Sequence, residues 1–275
     1  MPNGTGQFRE RDMARIARLR LLDDIFMRAV LKDNKPGVQL IIRILLNRDD
    51  IEVEEVRVQD GWPNLVGHGV RLDVTARDTA GKWYNIEIQR SSEGANAKRA
   101  RYNLGALDWH ILPAGADYDA LPEVFIIFIT ETDELGDGLP VYTIDRTIRE
   151  TGKPFHDYAH IVYANGAYEG QDEIGKLMAD FRATDPREMR YAPLAEKARF
   201  YKVTEGGVNA MCKIMEEVRQ EGYDLGAKAN RSQMIDVLLM TNNEDTLLHN
   251  EMFKGLRITP DEISASRLRL NAKGF

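Results

Sequence analysis

The sequence predicts an α/β protein, a mixed β-sheet core flanked by helices and followed by an all-helical C-terminal region. Three observations predict it. First, Arg71–Asp78 and Lys82–Gln89 alternate with period two, as half-buried strands do. Second, Pro122–Thr130 encloses a continuous apolar run, Val124 to Ile129, the pattern of a strand buried on both faces. Third, beyond Asp185-Pro186 only helical spacing recurs. The boundary is therefore expected near 185, with a core over 1–185 and helices over 186–275.

Taken in order, residues 12–31 predict one helix, with Ile16, Leu19, Leu22, Phe26 and Val30 at helical spacing. Asn34-Lys35-Pro36-Gly37 breaks it, and Val38–Leu46 forms a second. Residues 51–58 alternate as a strand. Gly61, Pro63, Gly67 and Gly69 then predict a loop over 59–69. The two alternating strands come next, followed by a helix over 93–112 carrying Lys98, Arg99 and Arg101. After the buried strand, residues 139–144 and 160–163 predict short strands and 171–181 a helix. The C-terminal helices are expected at 188–205, 208–221, 233–239, 244–253 and 260–270. Thr259-Pro260-Asp261-Glu262 supplies an N-cap, a Pro in the first turn and acids beside it.

The alternating pair contains a chemical anomaly. Its link, Thr79-Ala80-Gly81, is of hairpin length, and pairing across it sets Asp78 opposite Lys82 and Asp73 opposite Glu87. Like charges placed directly across a sheet destabilise it. Two carboxylates so placed share a proton or a cation, or else they belong to a solvated face. With Gln89 two residues on and on the same face, Asp73 and Glu87 make an oxygen-rich set suited to a hard ion such as Mg²⁺ or Mn²⁺.

Composition narrows the classes. The 275 residues are 43% hydrophobic and 29% charged, as in a soluble globular protein. No apolar run is long enough to cross a membrane, and residues 1–20 lack the apolar centre of a signal peptide. One cysteine, Cys212, excludes an internal disulfide and any Cys-based zinc site, so a reducing cytoplasm is the expected compartment. A net charge of −7 argues against coating nucleic acid by bulk electrostatics while suiting a site that concentrates cations.

As a set, several segments resemble the PD-(D/E)xK nuclease superfamily, and within it the bacterial branch of PD-(D/E)xK nuclease family transposases, related to recombination-promoting nucleases. They are Asp23-Asp24-Ile25-Phe26-Met27, Arg71-Leu72-Asp73-Val74, Tyr84-Asn85-Ile86-Glu87-Ile88-Gln89-Arg90 and Lys98-Arg99-Ala100-Arg101-Tyr102-Asn103. Val124–Thr130, Gly138-Leu139-Pro140-Val141-Tyr142 and Ile161–Gly166 continue the set, which spans roughly 20–215. The resemblance implies a restriction-endonuclease-like core and a metal-dependent DNA endonuclease serving recombination or mobile elements. It implies Asp73 and Glu87 as metal ligands, completed by an acid of the first helix, Asp24 in preference to Asp23. Gln89 stands where the superfamily usually has Lys, and Leu72 where it has Pro. Arg99 and Tyr102, three apart on one helix face, are then placed to meet phosphate. The competing class is a non-catalytic DNA-binding or protein-interaction protein on the same scaffold, favoured by the acidic charge and the missing Lys.

Other signals are weaker. His156 and His160 are four apart but sit in a loop leading into a strand. Met211, Ile214, Met215 and Val218 at helical spacing predict core or helix pairing, so the C-terminal helices are also a candidate surface for self-association.

Overall fold

The computed structural model describes residues 4–62, 70–90 and 92–272. Among these residues the helices are α1 Gly4–Arg18, α2 Asp24–Leu31, α3 Lys35–Leu46, α4 Ala97–Ile111, α5 Glu173–Arg182, α6 Ala192–Val203, α7 Glu205–Thr241, α8 Glu244–His249, α9 Glu251–Lys254 and α10 Pro260–Ala272. The strands are β1 Val53–Trp62, β2 Val70–Asp78, β3 Trp83–Gln89, β4 Val124–Thr130, β5 Val141–Ile144 and β6 Ala159–Asn165. They form one six-stranded mixed sheet in the order β1-β2-β3-β4-β6-β5. The β1-β2-β3 meander is antiparallel, β4 joins β3 in parallel, β6 joins β4 in parallel, and β5 returns antiparallel on β6.

The hairpin between β2 and β3 has the register its length predicts, Val74↔Ile86 through Arg77↔Trp83. Gly81 closes it at φ +81°, a conformation other residues adopt only with strain, and its N–H bonds the Asp78 carbonyl at 3.0 Å. The parallel step from β3 to β4 needs a crossover, and α4 supplies it. Its Ala100, Leu104 and Leu107 pack with Val124, Ile126 and Phe128, alternate residues of β4. The intervening Phe125, Ile127 and Ile129 are buried too, and α2 and α3 pack against the β1-β2-β3 meander.

That two-sided cover corrects one expectation. β2 and β3 are not half-buried: Thr75, Asn85 and Glu87, on the polar side of the alternation, are 1%, 0% and 0% exposed. Polar residues on the covered face reflect internal hydrogen bonding rather than solvent.

Further boundaries shift for local reasons. The expected helix over 12–31 is broken between α1 and α2, where the Arg20 N–H bonds Asp23 Oδ2 at 2.7 Å and buries Leu21 and Leu22 in the turn. The break makes Asp24 the first residue of α2. Asn34-Lys35-Pro36-Gly37 ends α2 and also opens α3, because Asn34 Oδ1 caps the Gly37 N–H and Pro36 fits the first turn. Residues 59–62 of the expected loop continue β1; the remainder, 63–69, lies outside the described residues.

The chain divides into two compact units, 1–212 and 213–275, so the boundary expected at 185 moves into α7. Helix α6 belongs with the sheet because it packs on α2 and α3. Helix α7 joins two segments expected to be separate; residues 220–230 between them are exposed and so carry no apolar stripe. The second unit has a small core of Ile235, Leu247, Ile258 and Ile263. Among the described residues no helix is long and apolar enough to cross a membrane.

Asn34 ties α2, α3 and α6 together. Besides the cap, its Nδ2 donates to the Val30 carbonyl at 3.1 Å and the Pro193 carbonyl at 2.8 Å, with the residue 5% exposed. Asn34→Ala therefore loses a cap and leaves buried carbonyls short of a donor. The expected cost is about 2–4 kcal/mol, measured as a lowered urea midpoint.

Candidate active site

The charged centre lies where β2 and β3 stop pairing. The ladder runs to Val74↔Ile86, and its continuation would be Asp73 against Glu87. There, side chains replace the ladder. The Asp73 N–H donates to Glu87 Oε1 at 3.1 Å, and the Ile88 N–H donates to the Asp73 carboxylate. Each acid thus meets the backbone of the opposite strand, and the two are held against one another.

Glu87 is fully buried, which excludes the solvated-face reading for it. Its Oε1 accepts a second bond from Asn85 Nδ2 at 3.0 Å, and its Oε2 faces Arg99 Nη2 at 3.3 Å. Burial nonetheless raises its carboxyl above the ordinary range, against the opposing pull of Asn85, the Asp73 N–H and Arg99. The Asp73 carboxyl is pushed up to about 8, chiefly by burial, then by the charges of Glu87 and Asp24; Arg28 and the Ile88 N–H oppose the shift.

Asp24 enters from the first turn of α2. Its Oδ2 pairs with Arg28 Nη2 at 2.7 Å, one helical turn on, while its Oδ1 is buried without a hydrogen-bond partner. Asp23 is committed elsewhere: Oδ1 to Arg90 Nη1 at 2.8 Å and Oδ2 to the Arg20 N–H. Arg90 and Arg20 both continue to Glu131, at 3.0 and 2.8 Å, closing a network across the ends of β3 and β4. Of the two neighbouring acids, Asp24 is the one with an open oxygen beside Asp73.

Gln89 ends β3 half-buried, its amide lying over Gly94. A Cβ at position 94 would stand 1.9 Å from Gln89 Oε1, so a larger residue there would displace the Gln89 amide, while at 3.6 Å from Arg99 Nη1 it would make only ordinary contact. Arg99 is drawn into the acidic centre, whereas Tyr102, one turn along α4, is 45% exposed. Among the described residues, no three His, Cys, Asp or Glu converge into a complete metal-ligand cluster. His160 bonds Asp145 Oδ1 at 2.6 Å from β6, and His156 lies in the preceding loop at φ +57°.

Comparison with family models, curated proteins and solved structures returned no match. The site therefore stands on its own geometry.

Two participants escaped sequence reasoning. Asn85 shares the Glu87 face two residues earlier, a parity visible in the strand pattern, yet its hydrogen bond to the acid is tertiary. Arg28 stands four residues after Asp24, a spacing that marks a helical ion pair.

The raised Asp73 carboxyl carries a pH signature. A carboxyl with a folded pKa above its unfolded value binds more protons in the native state, so it destabilises as pH rises between the two. The window runs from the ordinary value of 3.8 to about 8. Asp73→Asn should remove this component, making the variant progressively more stable relative to wild type as pH rises from 5 to 8. Urea midpoints of both proteins across that range check it; parallel profiles would contradict it.

Proposed function

We propose that the chain is a metal-dependent DNA endonuclease on a restriction-endonuclease-like scaffold, acting in recombination or on mobile elements. The observation that carries the reading is the enforced meeting of Asp73 with the fully buried Glu87 at the point where two strands part. Ordinary packing has no use for this arrangement, since replacing such a group with apolar side chains is often neutral or stabilising. A hard cation would relieve it.

The donor set fits Mg²⁺ or Mn²⁺. All available ligand atoms are carboxylate or amide oxygens, and Asp24 offers a buried oxygen without a partner. Asp73 and Glu87 would hold the ion, and Asp24, which does not converge with them into a three-acid cluster in this structure, would have to close on it from α2. When bound, a divalent ion supplies a Lewis acid that activates water and neutralises charge developing on a phosphodiester. The chain's own residues do the rest. Glu87 is fixed through Oε1 by Asn85 and the Asp73 N–H, so its other oxygen, which faces Arg99, has one direction. Gln89, held over Gly94, can orient water or a non-bridging oxygen through a neutral amide. Arg99 and the exposed Tyr102 present a cation and a hydroxyl on the α4 side for the phosphate backbone.

The alternative, a binding protein on this scaffold, is favoured by Arg99 already occupying Glu87 Oε2 and by the amide at position 89. Cleavage separates the two. Purified protein should nick plasmid DNA only with Mg²⁺ or Mn²⁺, and Asp73→Ala and Glu87→Ala should each reduce the rate about 10³-fold or more, some 4 kcal/mol at 1.36 per decade. Gln89→Ala should lose less, because it removes orientation rather than charge. Equal nicking by wild type and Asp73→Ala would assign the activity to a contaminant. Metal-independent DNA binding without nicking would establish the binding protein instead.

A further inference from the structure

We propose that Arg99 is a latch on Glu87, holding the carboxylate against divalent cations until a phosphate draws the guanidinium away. The inference rests on the reading of Asp73 and Glu87 as a metal-binding pair and adds how that pair is loaded.

The two Glu87 oxygens are not equivalent. Oε1 accepts from the Asp73 N–H at 3.1 Å and from Asn85 Nδ2 at 3.0 Å, both donors fixed in the sheet. Oε2 is the oxygen left to face a ligand, and Arg99 Nη2 stands on it at 3.3 Å. A guanidinium and a divalent cation seek the same anion and repel one another at such range. Metal entering at Oε2 must displace Arg99 or share the oxygen with a like charge.

The geometry makes Arg99 the partner that moves. Glu87 is 0% exposed and held from two sides, whereas the Arg99 side chain is 40% exposed and reaches inward from α4. Its grip is one contact, longer than the 2.7–2.9 Å usual for charge-assisted bonds and lacking the paired fork Arg makes with an ideal carboxylate partner. A DNA phosphate offers two oxygens and a bidentate alternative outside the carboxylate pocket. Phosphate binding then frees Oε2, and metal loading follows substrate. By linkage the coupling is reciprocal: bound metal tightens DNA binding by the factor that DNA tightens metal binding.

The test is Mn²⁺ binding to the full chain, followed by the electron paramagnetic resonance of free Mn²⁺, for wild type, Arg99→Met and Glu87→Gln. Arg99→Met should bind Mn²⁺ about tenfold more tightly than wild type in the absence of DNA, within the range usual for coupled sites. A phosphorothioate duplex should raise wild-type affinity by a similar factor and that of Arg99→Met far less. Glu87→Gln should lose binding in both conditions. If Arg99→Met fails to fold, Arg99→Gln, neutral but able to hydrogen-bond Glu87, carries the same comparison. Wild-type binding that neither neutral variant strengthens, or a duplex effect equal in wild type and variant, overturns the latch and leaves the metal pair standing. Absence of Mn²⁺ binding in every form, with and without duplex, overturns the metal reading and the latch with it.

Discussion

The burial of one carboxylate organises the first unit. Glu87 lies on a strand between two others, with no exposed surface, and a buried anion must find donors or lose its charge. Asn85 comes from the same strand, Arg99 from the crossover helix, and the Asp73 N–H from the neighbouring strand. The β2–β3 ladder ends after Val74↔Ile86, where these contacts gather. The Ile88 N–H, on the β2 side of β3, goes to the Asp73 carboxylate instead of a strand carbonyl, so the sheet parts where the acids gather. The opening is thus built by the acid it contains.

The elements around that opening are held by ordinary packing. α4 is pinned by Ala100, Leu104 and Leu107 against β4, which places Arg99 at the sheet. α2 begins where the Leu19–Asp23 turn ends, and the Arg20–Asp23–Arg90–Glu131 network ties that turn to β3 and β4. Asp24 follows directly, with one oxygen engaged by Arg28 and one open. Strands and capped helices hold groups with less freedom than loops do, which favours chemistry that depends on direction.

The second unit follows a separate logic. Its helices close on a small apolar core, fastened by Arg231 to Glu262 at 2.5 Å and by Asp236, which accepts from the buried Ser266 at 2.5 Å and pairs with Arg269 at 2.6 Å. These charges meet internal partners, so their role is cohesion. On α4, by contrast, Lys98, Arg99 and Arg101 follow closely on one helix, within an acidic chain of net charge −7.

The sequence alone determined the α/β order, the hairpin register and the parity that sets Asp73 against Glu87, because period-two alternation and loop length act locally. It also placed Arg99 and Tyr102 on one helix. It misjudged the solvated side of β2 and β3, since cover over a strand comes from elements remote in the chain, and a polar pattern looks alike whether satisfied by water or by neighbours. It ran α1 and α2 together because apolar spacing persists through the turn that Asp23 closes onto the Arg20 N–H. It divided α7 because an exposed stretch needs no periodicity. Only the tertiary structure decided that Glu87 is wholly buried, that Asp24 rather than Asp23 keeps an open oxygen, and that Arg99 rests on Glu87. Each depends on which remote donor reaches a given oxygen first, and spacing along the chain does not encode that competition.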